Sequence, residues 1–379
     1  MIVYIIGFSV STLLFYFSNK VVKKQQWIII SIALMIPCLI AGFRADSVGT
    51  DVKRYLVQMT DAAISSNGIK DYLNKSWYMI WQNLYVSDYE YGFSFLVYIV
   101  AKLFKNIYAV QFFIQAFTVV PIYFALRIFH GNISRFCWLG MLTYYLVFFN
   151  VTLNAMRQAI AMAFILLAFA CLFNNKQKAC ILFTLIAIFF HTSALIGIII
   201  FLIYKYVETD RKNNFRVGWI KISGNYMNML ITIFIAIISL FGLSVISALL
   251  TSLGLSKYIA YIGGTISFMP NQVIIRIPII ALFMYCWKKN INDSKIMRFL
   301  FTMLCLDLIC SQFTSINSYS GRIALYFAEF QILTYPIIYI KTNKNKVLLL
   351  LLTIYMSIYW WYYFVYSGSN ATVPYIIGI

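Results

Sequence analysis

Charge is scarce in this chain of 379 residues. Asp, Glu, Lys and Arg together make up 11% of it, against roughly a quarter in ordinary soluble domains. A water-soluble globule of this length cannot cover its apolar surface with so few charges, so that class is excluded. Acids are scarcer still, eleven against thirty Lys and Arg. Histidine occurs twice, at His130 and His191, and no zinc or calcium ligand spacing and no Gly-rich phosphate loop is present. The seven cysteines (Cys38, Cys137, Cys171, Cys180, Cys286, Cys305 and Cys310) all sit in apolar runs without metal-ligand spacing. They read as small buried hydrophobes, not as a disulfide framework. Internal repeats, low-complexity tracts and a separate soluble domain are absent, so residues 1–379 read as a single integral membrane domain.

What fills the chain instead is apolar: 62% hydrophobic residues and 18% aromatics, with a mean hydropathy of +0.82. Lipid is the solvent that suits such a surface, and Tyr and Trp suit the headgroup level. The net charge of +19 does not point to nucleic acid. The basic residues fall in short clusters between apolar runs, where the positive-inside rule puts them, and form no single stripe. No cofactor is called for.

A helix needs about 20 apolar residues to cross the hydrocarbon core. Spans are expected near 2–18, 27–43, 107–126, 136–152, 155–173, 228–250, 272–287, 296–314, 322–340 and 346–366. The run 179–204 is too long for one ordinary helix and carries His191 near its middle, which predicts two short spans meeting there. The segment 91–104 is apolar but short and reads as re-entrant or shallow. The first span lacks a basic leader and a cleavage site before Lys20 and reads as a retained anchor. The expected fold is all-α, a polytopic bundle of about 11–13 membrane segments of this length.

Six basic clusters, from Lys20/Lys23/Lys24 to Lys341/Lys344/Lys346, fall on one side if both termini lie on the other. That arrangement sends Arg44, Asp46, Asp51, Arg54, Glu90, Asn154, Arg157, His191, Arg276 and Arg322 to the outer face. Six of the eleven acids lie between Asp46 and Glu90. A loop of that length, 44–90, is functional more often than a mere connector. Interfacial helices are expected in it, and its aromatic stretch Trp77 to Val86 suits the membrane interface.

Several of these groups carry chemistry. Arg157 opens an apolar helix with Asn154 three residues before it, on one face. A guanidinium there either snorkels to water or binds an anion. Arg276 lies one turn into a span and Arg322 opens another, and intramembrane ionisable groups are functional candidates by default. His191, Asp51 and Glu90 are the candidate bases, ranked in that order because histidine titrates nearest working pH. Arg157, Arg322, Arg276, Arg44, Arg54 and Asn154 are the candidate substrate ligands. Asp307 and Glu329 lie in mid-helix without a partner nearby in the chain.

Five segments in order resemble the EpsG family, a Wzy-like group of bacterial polysaccharide polymerases. They are Phe43-Arg44 with Val48-Gly49-Thr50-Asp51 and Arg54-Tyr55; Glu90-Tyr91-Gly92-Phe93; Asn154-Ala155-Met156-Arg157-Gln158-Ala159-Ile160-Ala161; Ala187 to Leu195 around His191; and Arg322-Ile323 with Tyr326-Phe327. The family often has an aromatic after the Asp51 position, where this chain has Val52. The resemblance implies an architecture similar to lipid-carrier-dependent (GT-C-like) glycosyltransferases. It implies transfer of a glycan chain from undecaprenyl diphosphate to the non-reducing end of a lipid-linked repeat unit. The setting would be the outer face of the bacterial cytoplasmic membrane, without a metal. A chain-length regulator and a flippase are the partners implied, besides the lipid-linked oligosaccharide and the bilayer. Two alternatives stay open: a flippase or transporter of the same lipid-linked glycan, and a membrane acyltransferase that decorates sugars.

Overall fold

The computed structural model describes residues 1–79, 81–129, 135–209, 215–217, 220–241, 267–289, 295–316 and 321–378. The second half of the expected 228–250 span and residues 318–320 before Arg322 lie outside the described residues. Among the described residues, seven helices are long and apolar enough to cross a membrane, and five more apolar helices are shorter. The protein is thus an all-α polytopic helical bundle. The contacts divide it into two compact units, Met1–Leu195 with Tyr335–Ile340 and Lys344–Ile379, and Ile196–Thr334 with Lys341–Asn343.

The first unit is built around one helix. Its elements are α1 (Ile2–Ser18), α2 (Lys23–Gly42), α3 (Val57–Ser65), α4 (Ile69–Asn74), the hairpin β1 (Ser76–Met79) and β2 (Gln82–Tyr85), α5 (Tyr91–Phe104), α6 (Ile107–Ile128), α7 (Cys137–Thr152), α8 (Met156–Phe173) and α9 (Gln177–Phe190). Every residue of α8 is buried except Arg157 and Phe164. A helix apolar all round belongs in a core, and α6 and α9 pack along it.

The chain alternates direction through this unit, which sorts its ends. Tyr4 at the start of α1 donates to the Thr372 carbonyl, and Gly42 at the end of α2 packs on Tyr108 and Phe112 at the start of α6. Arg44, just beyond α2, reaches Met156 at the start of α8. At the other end, Asn19 donates to the Arg135 carbonyl and Asn174 to the Ile128 carbonyl. The turns holding Lys20, Arg127, Arg135 and Lys176 therefore share one end, and Arg44, Arg157 and His191 share the opposite one.

Helix α5 belongs to that second end at both of its termini. It starts at Glu90 beside Arg157, and Lys102 in its last turn donates to the Ser66 carbonyl in the first loop. The shallow course expected of 91–104 fits that geometry.

Two features of the first loop go beyond the sequence reading. The aromatic stretch Trp77 to Val86, expected to suit the membrane interface, falls largely in a two-stranded hairpin paired Ser76 with Tyr85 through Met79 with Gln82. Its first half, Ser76–Met79, alternates in burial, a period of two that suits a strand and not a helix. Trp81 in the tight turn has φ 66° and is 90% exposed. The loop is also strapped by the C-terminal segment. Arg44 bridges to Ile377, the amides of Ala45 and Gly49 donate to Ile376 and Ala371, and Asn150 ties Thr372 and Trp360 together.

The second unit contains α10 (Ile196–Glu208), the short pair β3 (Phe215–Val217) and β4 (Ile220–Ile222), α11 (Gly224–Phe241), α12 (Pro270–Lys289), α13 (Lys295–Cys310), α14 (Ile323–Ala328) and the start of α15 (Gln331–Lys341). Its core is α13, whose Phe299 meets the rings of Tyr204 and Phe330 edge-on. The expected 322–340 span is one of the seven, Ile323–Lys341, and a turn at Glu329–Phe330 divides it into α14 and α15. The last helix, α16 (Lys346–Trp360), runs on through a wider turn to Tyr366 in the first unit. The run 179–204 divides as expected: α9 stops at Phe190, His191 is extended at φ −159°, ψ 124°, and α10 follows.

Candidate functional site

The site begins with a backbone requirement. Gly49 has φ 89°, a left-handed value that favours glycine. A Cβ there would also press on the Leu153 carbonyl at 3.1 Å. This close approach brings the loop onto the turn before α8. Asn154 then accepts from the Thr50 amide at 3.0 Å, the Thr50 hydroxyl at 2.7 Å and the Asp51 amide at 3.1 Å. A borrowed amide from a distant turn thus supplies the N-terminal cap that the helical segment running from Thr50 to Ser65 needs. The Asn154 side chain is occupied with positioning, and its nitrogen faces Asn370 at 3.3 Å.

With that segment fixed, Asp51 and Tyr55 lie one turn apart, and the Tyr55 hydroxyl donates to the Asp51 carboxylate at 3.2 Å. Burial and Asp51 outweigh the opposing pull of Arg157 and raise the Tyr55 hydroxyl well above its ordinary range, so it stays protonated. Tyr55 and Tyr89 flank Arg157, their ring centres 5.3 and 4.8 Å from its guanidinium carbon, and Trp77 of the hairpin stacks on Tyr89. Arg54 lies close enough to Tyr89 to act on its hydroxyl. An arginine held between aromatic faces is a pre-organised cation, not a loose snorkelling chain.

Glu90 is the junction of the site. One oxygen accepts from Arg157 Nη1 at 2.5 Å. The other meets His191 Nδ1 at 2.5 Å and also faces the amide and hydroxyl of Thr192 at 3.3 and 3.5 Å. Burial pushes the Glu90 carboxyl up, but the His191 hydrogen bond and the Arg157 charge outweigh it and hold the group at about 2. Such a carboxylate is ionised and fully engaged, which makes it a poor proton acceptor and a good positioner. It fixes His191 through Nδ1 and leaves Nε2 for chemistry, the division of labour of a carboxylate–imidazole pair.

Gly92 makes the junction possible. A Cβ at this position would lie 2.6 Å from both the ring and the carbonyl oxygen of Phe189. Only glycine lets α5 start against the end of α9, two residues before His191. Gly92→Ala is expected to separate Glu90 from His191 and to lower the melting temperature of the purified protein. A variant that melts and works like the parent would show the contact to be soft.

The acid limb supplies a second expected result. Glu90 titrates at about 2 in the fold against the ordinary carboxylate value of about 4.3. Its stabilisation is therefore complete above the unfolded value and is lost as pH falls through the folded one. Melting temperature should decline between about pH 4.5 and 2 in part through this group, and Glu90→Gln should flatten that part of the profile. An unchanged acid limb in the variant would assign the decline elsewhere.

Arg44 stands behind this cluster. It is 2% exposed, its Nη2 reaches the Met156 sulfur at 3.4 Å, and its Nε has no hydrogen-bond partner among the described residues. Burial pushes the guanidinium down to about 10, opposed by Tyr4, Tyr55, Tyr375 and Asp51 nearby. It remains a cation beneath the loop. Among the candidate residues, the structure gathers Asp51, Glu90, Asn154, Arg157 and His191 directly, with Arg44 and Arg54 adjoining.

Arg276 and Arg322 belong to the second unit. Arg276 pairs with Asp307 at 2.9 Å and donates to the Gln272 side chain at 2.6 Å, and Gln331 donates to the other Asp307 oxygen at 3.1 Å. Asp307 thus finds its partners across helices. Arg322, half-buried, directly precedes α14. No group of three or more metal-ligating side chains occurs among the described residues. The sequence reading gave no role to Tyr55, Tyr89, Thr192 or Gly92. The four-residue step from Asp51 to Tyr55 was a usable signal for the first; the rest depend on contacts distant in the chain.

Comparison with known proteins adds one finding. The model of the EpsG family matches residues 27–377, nearly the whole chain. No curated protein and no solved structure matches.

Proposed function

Since the chain belongs to the EpsG family, whose members are related to Wzy-like polysaccharide polymerases, we propose that it polymerises a lipid-linked glycan at the end of the bundle that carries Glu90. The observation that carries this reading is the Arg157–Glu90–His191 bridge, one cation and one base fixed by a shared carboxylate. The donor is a glycan on undecaprenyl diphosphate, and the acceptor is a hydroxyl at the non-reducing end of a second lipid-linked unit. The acceptor oxygen bonds to the anomeric carbon as the carbon–diphosphate bond breaks. The hydroxyl proton passes to His191 Nε2, and undecaprenyl diphosphate leaves with the bonding electrons. Arg157, held between Tyr55 and Tyr89, offers its remaining N–H groups to the diphosphate as negative charge builds there. Asp51, steadied by Tyr55, orients the acceptor.

The positive-inside rule supports an outward-facing site in the cytoplasmic membrane, because the basic turns of the first unit share the other end. A flippase reading would draw on uncompensated acids in mid-membrane; Asp307 is compensated by Arg276, whereas buried Glu329 keeps one carboxyl oxygen without a hydrogen-bond partner among the described residues. The test is the purified protein with lipid-linked repeat units, read as a ladder on a gel. A ladder supports the reading, and unextended units in a folded preparation overturn it. Ladder formation is also expected to persist in chelator, since arginine supplies the charge. Loss in chelator with recovery in magnesium would make Asp46, Asp51 and Glu90 the first ligands to examine.

A further inference from the structure

We propose that the first unit carries a second anion site, a phosphate-binding pocket at its basic end. A cavity of about 270 Å³ opens there, with Ser18, Asn19, Gln26, Tyr123, Arg127 and Arg135 in its wall. It lies at the far end of α6 from Tyr108, roughly 28 Å away by helix rise, so it is separate from the Glu90 cluster.

The two guanidinia are the reason to expect an anion. Arg127 is held in place, its guanidinium carbon 4.2 Å from the Trp27 ring centre and its Nη1 donating to the Tyr123 hydroxyl at 2.6 Å. Those contacts fix one face and one edge, and they leave further N–H groups of the fork for a ligand. The Arg135 backbone is fixed as well, through its carbonyl and the Asn19 amide at 3.2 Å. No acid forms a salt bridge with either arginine among the described residues. The floor, Phe15, Ile30 and Cys137, is apolar and buried. One positioned fork, Arg127, with the exposed Arg135 and the amide and hydroxyl groups of Asn19, Gln26 and Ser18 in the same wall over an apolar floor, matches the oxygens of a phosphate group. The volume is below that of a pocket for a drug-sized ligand and suits a headgroup or a free anion.

The phosphate has two possible sources, a lipid headgroup and inorganic phosphate. The melting temperature of the purified full chain in detergent distinguishes them when titrated with short-chain phosphatidylglycerol, short-chain phosphatidylcholine or inorganic phosphate. A rise with phosphatidylglycerol alone supports the pocket and assigns it to an anionic headgroup. A rise with inorganic phosphate as well supports the pocket and assigns it to the free anion. In either case the Arg127→Gln/Arg135→Gln variant should need at least tenfold more ligand for the same shift. Gln26→Glu keeps the arginines and places a carboxylate in the same wall. It should raise the starting melting temperature and remove the response, which settles the matter should the double variant fold poorly. No rise with either phosphate probe, an equal rise with phosphatidylcholine, or a Gln26→Glu response like the parent's overturns the proposal.

Discussion

His191→Gln is expected to reduce ladder formation from lipid-linked units by about 10²–10⁴, the span that a positioned acid–base group contributes. Glutamine keeps an N–H to offer the Glu90 carboxylate, so the junction at the start of α5 stays assembled. It has no basic nitrogen for the acceptor proton, so kcat should fall while KM for the lipid substrate holds. Glu90→Gln should cost less, because the imidazole persists but loses the partner that fixes it through Nδ1. Normal ladders from His191→Gln together with none from Asp51→Asn would move the base role to the carboxylate beside Tyr55. Normal ladders from both would mean that departure of the diphosphate drives the step without base assistance.

Arg157→Lys should lower activity by about 10²–10³, comparable to the loss of one charge-stabilising donor in a dry site. Lysine preserves the charge beside Glu90 but gives up the planar fork and the flat contact with Tyr55 and Tyr89. Arg157→Ala goes further, since it strands the carboxylate. Breaking a buried ion pair typically costs ~3–5 kcal/mol, and the cost here should fall at or below the low end because Glu90 keeps His191 and Thr192. The two variants separate the effects: Arg157→Lys at parental melting temperature with little activity assigns Arg157 to the diphosphate. Near-parental ladders from Arg157→Ala would reduce it to a snorkelling residue.

Membrane class, helical architecture and the positions of most spans were legible in the residues alone. Hydropathy is a property of each segment by itself, and lipid rewards any run long and apolar enough to cross it. The division of 179–204 at His191 was legible for the same reason, because the run exceeds one helix and carries a polar residue at its middle. Charge statistics placed the basic turns together, and the first unit does gather Lys20, Arg127, Arg135 and Lys176 at one end. The hairpin at 76–85 was less legible, since its aromatic richness dominated a weak two-residue alternation.

Which candidates act together was decided by the tertiary structure. Arg157 and Glu90 lie 67 residues apart in sequence, and His191 and Glu90 lie 101 apart. No periodicity spans such distances, and a lone arginine at a helix start looks the same whether it snorkels or binds. The difference lies in Gly92 admitting α5 against Phe189, in Asn154 capping a loop 103 residues earlier, and in two tyrosines closing on one guanidinium. Arg276 shows the same lesson with another outcome, since its environment is Asp307 and Gln272. One-body properties such as hydropathy and charge are written along the chain; the pairing of charges is a many-body property that exists only once the helices are packed.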